Sequence, residues 1–145
     1  MKIHELGHVV FYVKNLKNSA DFYKNILGFN EIHRDTHTAM FSSGRTHHEF
    51  FLIEVGGEKE DKEFPVPGLY HIGFKIGNSD DELRQAMKEL EENKILITGT
   101  GDHTVTHSLY ILDPDRNEIE LYIDVDDEWK KDPTKIVIST KALYL

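Results

Sequence analysis

The sequence predicts an α+β fold built from two β-α-β-β-β modules in succession. Three observations carry the prediction. A strand-like run beginning at a histidine, His8-Val-Val-Phe-Tyr-Val, returns in the second half as Leu69-Tyr70-His71-Ile72-Gly73-Phe74-Lys75-Ile76. Each run leads into a segment of helical periodicity. A connector over residues 56–68, with glycines at both ends, a charged run from Glu58 to Glu63 and prolines at 65 and 67, separates the halves. Module 1 is read as residues 5–55, the linker as 56–68, module 2 as 69–125 and a tail as 126–145. The whole is read as one domain, since 145 residues can bury one sizeable core but fall short of two independent ones.

In the first run, Val9, Phe11 and Val13 alternate with His8, Val10 and Tyr12, the period of a strand with one apolar face. Over residues 18–27, Phe22 with Ile26 and Tyr23 with Leu27 make apolar pairs one helical turn apart, and Gly28 supplies a stop. Strands are expected over 30–34 and 38–42, turned by Ser-Ser-Gly, and over 47–55. In the second module, Ile72, Phe74 and Ile76 are apolar and His71 lies on the alternate face. Ser79 with Glu82 forms a capping box, and Leu83, Ala86, Met87 and Leu90 trace a helical stripe to about Asn93. Strands follow over 95–98, 104–112 and 118–124. The last is entered through Asp113-Pro114-Asp115-Arg116-Asn117, where Pro114 presets φ for a turn. Beyond it Ile119, Leu121 and Ile123 share one face while Glu118, Glu120 and Tyr122 share the other, so an apolar side is buried and carboxylates are presented. The tail is charged, then β-prone at Ile136-Val137-Ile138; it suits covering a sheet edge, with packing against a second subunit as the alternative.

A net charge of −9 argues against nucleic-acid and anionic-membrane partners, which reward clustered Lys and Arg, and leaves a small-molecule substrate open. With no cysteine, thiolate nucleophiles, disulfides and sulfur ligands are excluded, so a metal site must use nitrogen and oxygen. Residues 1–11 lack a basic region followed by an apolar run, and no segment approaches the roughly 18 apolar residues of a membrane span. A cytoplasmic location is the expectation.

His4-Glu5-Leu6-Gly7-His8 matches the zinc-protease pattern H-E-x-x-H literally, but that pattern works only on a helix. Gly7 and the β-prone run after it favour a strand, on which His4 and His8 stand about 13 Å apart at roughly 3.3 Å per residue, too far to share an ion. Either one alone can still be a ligand. His8 and His71 hold the same place in their modules, and Glu120 lies on the last strand. A lone strand histidine is ordinarily a surface or hydrogen-bonded group. Matched placement in a repeat points instead to a metal site.

Gly7-His8-Val9-Val10-Phe11-Tyr12-Val13, Phe22-Tyr23 with Leu27-Gly28-Phe29, Gly68 through Phe74, and Asp113-Pro114-Asp115 through Glu120-Leu121-Tyr122 together resemble the vicinal oxygen chelate superfamily. That superfamily includes glyoxalase I, extradiol dioxygenases, fosfomycin-resistance proteins and bleomycin-resistance proteins. The likeness covers about residues 5–125 and is nearest to small catechol-2,3-dioxygenase-like proteins. It implies curved sheets forming a cup with a divalent metal held by His8, His71 and Glu120. Fe(II) is the expected metal, with Mn(II), Zn(II) or Ni(II) as alternatives. It further implies a homodimer, each cup built from one chain or from two. The family turn usually has glycine where this chain has Arg116, so either the turn differs or Arg116 adopts a positive φ.

The resemblance implies ring opening of an aromatic diol by dioxygen, with His48 moving protons and Tyr110, ten residues before Glu120, contacting the substrate hydroxyl. Alternation sets Phe50 and Leu52 on the face of His48, so it enters the cup only through a bend or bulge. Three other readings stay open. A glyoxalase-I-type lyase acting on a thiol adduct would need Glu49 as a fourth ligand and loses its base if Phe51 is the counterpart of Glu120. A fosfomycin-type thiol transferase shares the His-His-Glu set, and a bleomycin-resistance-like protein binds without metal chemistry. His103 and His107 are candidates for the rim; His107 and Tyr110 fall on opposite faces, and Tyr110 is preferred. His4, His33, His37 and His47 are taken as surface residues.

Overall fold

The computed structural model describes residues 1–58, 67–135 and 141–145, arranged in two compact units, Met1–Phe64 and Pro65–Leu145. Most of the 56–68 connector and the β-prone 136–138 run lie outside the described residues. None of the described helices is long and apolar enough to cross a membrane.

Unit 1 contains β1 (Val9–Val13), α1 (Leu16–Asp21), β2 (Asn30–Arg34), β3 (Thr38–Ser42) and β4 (Phe50–Glu54). Its sheet runs β1-β4-β3-β2. β1 lies parallel to β4, and the other pairs are antiparallel. Helix α1 starts earlier than its periodicity suggests because Asn15 caps it, accepting from the Asn18 amide at 2.9 Å. Its second half, Phe22–Ile26, is π-helical, which apolar spacing alone does not distinguish from α. Gly28 stops it at φ 73°. Tyr23 packs its ring 4.3 Å from that of Phe50, and both are buried with Phe41, Leu52 and Val13.

Unit 2 repeats the plan with β5 (His71–Gly77), α2 (Asp80–Glu92), β6 (Ile97–Asp102), β7 (Thr106–Leu112) and β8 (Glu118–Asp124). Its sheet order, β5-β8-β7-β6, corresponds to that of unit 1, as two β-α-β-β-β modules require. The Ser79–Glu82 capping box is formed, the Glu82 carboxylate accepting from Asn78 N and Ser79 Oγ, both at 2.8 Å. The strand expected over 95–98 begins instead at Ile97 and runs to Asp102. Residues 94 and 95 belong to the helix stop: Lys94 adopts φ 60° and Ile95 N donates to the Leu90 carbonyl at 2.8 Å. Ile119 and Ile123 are fully buried, and Leu83, Leu109 and Ile111 complete the core.

The turn into β8 is organised by buried Asp113, whose carboxylate accepts from Asp115 N, Asn117 N and Asn117 Nδ2 at 3.0, 2.7 and 2.9 Å. Arg116 takes φ 61° there, a left-handed conformation tolerated because the turn is held on both sides. The tail returns to the edge strand: Asp102 and Lys141 exchange backbone bonds of 3.2 and 2.9 Å, which covers part of β6.

Candidate functional site

In unit 2 the parallel pairing of β5 with β8 sets His71 beside Glu118 and Gly73 beside Glu120. Side chains alternate along both strands, so His71, Glu118, Glu120 and Tyr122 share a face opposite to buried Ile119 and Ile123. Gly73 leaves room on that face, where a Cβ would touch Glu120 Oε2 at 3.4 Å and the Tyr122 ring at 3.5 Å. His71 stands between two carboxylates, Nε2 at 3.2 Å from Glu120 Oε2 and Nδ1 at 3.3 Å from Glu118 Oε1.

β7 supplies the rest. Tyr110 is the antiparallel partner of Glu120 and Ser108 of Tyr122. Ser108 Oγ donates to Glu120 Oε1 at 2.6 Å, and the Tyr110 hydroxyl donates to the same oxygen at 3.3 Å. With that proton committed, His103 Nε2, 3.0 Å from the Tyr110 oxygen, is placed to donate to it. Burial first, then the Glu120 charge, pushes Tyr110 up to about 12, so its hydroxyl stays protonated and remains a donor through the neutral range. Of the two rim candidates, His103 is the one that lies beside Tyr110. His107 turns to the helix side, where Nδ1 donates to Asp80 Oδ1 at 2.7 Å.

Unit 1 gathers histidines. His8 precedes β1 and its ring lies 4.6 Å from that of His48. His48 in turn has Nδ1 2.6 Å from His47 Nδ1. The strand expected over 47–55 starts only at Phe50, and His48 lies in the irregular segment before it, free of the alternation that would have set it against Phe50. Desolvation, then His47 and His8, hold His48 below the usual imidazole value. His47, taken as a bystander, is therefore part of this cluster. His33 and His37 only approach surface carboxylates, at 3.8 and 3.9 Å. Residues 1–8 are not helical, which agrees with rejecting H-E-x-x-H.

Glu49 is occupied elsewhere. Its carboxylate accepts from Ser43 N, Ser43 Oγ and Arg45 N at 2.7, 2.9 and 3.0 Å, closing the β3–β4 turn. Burial pushes its carboxyl up, but these bonds outweigh it and hold the group below the ordinary value. The register settles the counterpart of Glu120: β1 pairs Val9 with Phe50 and Val10 with Phe51, as β5 pairs Ile72 with Ile119 and Gly73 with Glu120. Phe51 stands where unit 2 has its central carboxylate.

The family described as the Glyoxalase/Bleomycin resistance protein/Dioxygenase superfamily matches residues 5–121. The chain belongs to this superfamily. It is 33% identical over 134 residues to a catechol-2,3-dioxygenase of Bacillus subtilis, covering 90% of this chain but 46% of that protein, so it spans about half of that relative's length. It is 30% identical to the metallothiol transferase FosB of Staphylococcus epidermidis, covering 84% of this chain and 83% of that one. Among solved structures, a glyoxalase/dioxygenase from Nostoc punctiforme superposes with a TM-score of 0.69 at 23% identity, over 84% of this chain and 92% of that one, a likeness of fold.

Members of this superfamily commonly use divalent metals. Among the described residues no three His, Asp or Glu side chains close around one point, but the His71–Glu120 pair has the chemistry such an ion needs. A neutral imidazole has one proton to give, so one of the two carboxylates beside His71 must meet a lone pair, and a cation relieves that repulsion. The donors are one nitrogen and one oxygen, the set that imidazole-tolerant divalent metals accept. Glu118, Ser108 and Tyr70 were not singled out from the sequence as site residues. The period-two spacing of Glu118 with Glu120 and of Ser108 with Tyr110 was the signal available.

Proposed function

We propose that this protein is an extradiol-type dioxygenase that opens a catechol-like ring with dioxygen, using a divalent metal held by His8, His71 and Glu120. The observation that carries the reading is that two of the three proposed ligands have a proton-handling neighbour: His48 lies against His8, and Tyr110 donates to Glu120. The bond network that ties up Glu49, and Phe51 in the register position of Glu120, count against a four-ligand glyoxalase site.

Two neutral imidazoles and one carboxylate are a donor set that would hold Fe(II), which would supply redox-active chemistry for a diol and dioxygen. Mn(II), Zn(II) or Ni(II) are the alternatives. The residues do the rest. His48, neutral at physiological pH, takes a substrate proton at Nε2, because Nδ1 is engaged with His47. A hydrogen bond donated from its Nδ1–H to the His47 Nδ1 lone pair steadies the imidazolium so formed. Tyr110 keeps its proton and turns it toward a substrate oxygen, while His103 holds the phenol from behind. We place the enzyme in the cytoplasm as a homodimer.

The test is anaerobic loading with Fe(II), then oxygen uptake and ring-opened product absorbance with a panel of catechols. Uptake that disappears in His48→Ala while Fe(II) content is kept is the expected result. The similarity to FosB, which extends over most of both chains, favours a second reading as a thiol transferase. No uptake, with thiol-dependent consumption of fosfomycin, would replace the first reading by the second.

A further inference from the structure

We infer that Glu118 is a positioning residue that selects the tautomer of His71, holding the proton on Nδ1 so that the Nε2 lone pair is aimed at the position beside Glu120. The inference rests on the metal reading above for its purpose, though not for its geometry.

His71 Nδ1 and Glu118 Oε1 are both buried, and neither has a hydrogen-bond partner of good geometry among the described residues. They lie 3.3 Å apart, on paired positions of parallel strands. A buried donor or acceptor left unpaired is costly, and these two atoms are complementary and within reach of each other. Placing the single imidazole proton on Nδ1 satisfies both. The opposite tautomer satisfies neither; it sets Nε2–H 3.2 Å from Glu120 Oε2, on a carboxylate that already accepts from Ser108 and Tyr110 through Oε1 and so needs a further donor less than Glu118 Oε1 does. Tyr70 braces the arrangement. Its ring lies 4.7 Å from that of His71, and its hydroxyl donates to the Glu118 carboxylate; the charge of that carboxylate first, then the hydrogen bond, raises the phenol above its ordinary value.

Unit 1 offers the contrast. Val9 N donates to the Glu49 carbonyl at 2.9 Å, so Glu49 stands beside His8 as Glu118 stands beside His71, yet its carboxylate has turned away to close the Ser43–Arg45 turn. Among the described residues, a carboxylate stands behind His71 but not behind His8. A carboxylate hydrogen-bonded to the remote nitrogen of a ligating histidine fixes ring orientation, and its loss typically weakens metal binding by about 10–100-fold.

The test reads the tautomer directly, from histidine 15N shifts of metal-free protein at about pH 8, where imidazole side chains are ordinarily neutral. It then reads Mn(II) affinity by titration. The expected result is a protonated Nδ1 and bare Nε2 for His71. Glu118→Leu should move the proton to Nε2 and weaken Mn(II) by about 10–100-fold. Glu118→Gln keeps an acceptor oxygen and should restore the Nδ1 tautomer and most of the affinity; if the leucine variant fails to fold, the tautomer of the unsubstituted protein decides. A protonated Nε2 in the unsubstituted protein overturns the inference. So does unchanged Mn(II) affinity in Glu118→Leu when His71→Ala has lost it. If His71→Ala also binds Mn(II) normally, the metal reading fails instead, and the tautomer, read without any metal, still decides the role of Glu118.

Discussion

Units 1 and 2 share a strand order and a parallel register between their first and last strands, yet they fill two equivalent positions of the last strand in different ways. Where unit 2 places Glu120, unit 1 places Phe51, and where Glu118 faces His71, Glu49 bends back onto its own turn. Unit 2 therefore collects carboxylates, a phenol and a serine around one histidine, whereas unit 1 contributes aromatic packing and a histidine cluster. The same architecture thus carries two kinds of side-chain chemistry. What divides them is the residue at each inward position, since the backbone pairing around those positions is the same in both.

The largest expected effects come from breaking one core at a time. Phe50→Ala removes a ring packed on Phe11 and Tyr23 and should cost about 3–5 kcal/mol, against about 2–5 kcal/mol for Ile119→Ala in unit 2. Chemical denaturation followed by circular dichroism measures both. Equal shifts of one shared transition would show that the units unfold together.

The next comparison sets one carboxylate against the other. Glu120→Gln should weaken Fe(II) binding by more than the roughly 100-fold typical of losing an outer partner, while Glu49→Gln leaves metal content unchanged. Loss of metal in both would make the units chemically alike and return Glu49 to the ligand set.

Tyr110 gives a smaller, pH-dependent effect. Its folded value of about 12 lies above the ordinary 10.0, so the folded state holds that proton where the unfolded chain has released it. The associated stability is complete below pH 10 and is lost as pH rises toward 12. Denaturation midpoints across that window should fall more steeply for the unsubstituted protein than for Tyr110→Phe. At neutral pH the same variant should lower kcat/KM by about tenfold, the worth of one hydrogen bond to a charged group.

The smallest effect sharpens the contrast from the other side. Glu49→Gln keeps an acceptor but loses the charge that gathers three donors at residues 43–45, and should cost about 1 kcal/mol of stability with turnover intact. A thermal melt paired with an oxygen-uptake assay checks it.

Much of this was legible in the residues. Ile119, Leu121 and Ile123 alternate with Glu118, Glu120 and Tyr122, and period two is all that is needed to place a carboxylate opposite a buried face. Ser79 with Glu82, and Gly28, mark helix ends through local bonds that require no distant partner. For Arg116 the residues left two outcomes open, a different turn or a positive φ, and the structure shows the second. The π-helical second half of the first helix was not visible, since Phe22 and Ile26 give the same apolar stripe in either form. Nor was the start of β4 at Phe50, since the β-prone residues before it do not reveal that their neighbours form a tight turn.

By itself the sequence determined the repeat, the strand and helix periods and the histidines at the strand starts, because each is written in the spacing of neighbouring residues. Only the tertiary structure decided that Phe51 answers to Glu120, that Glu49 closes a turn and that Glu118 faces His71. Those outcomes depend on the pairing register between strands far apart in the chain. A slip of one residue there would send every side chain to the opposite face.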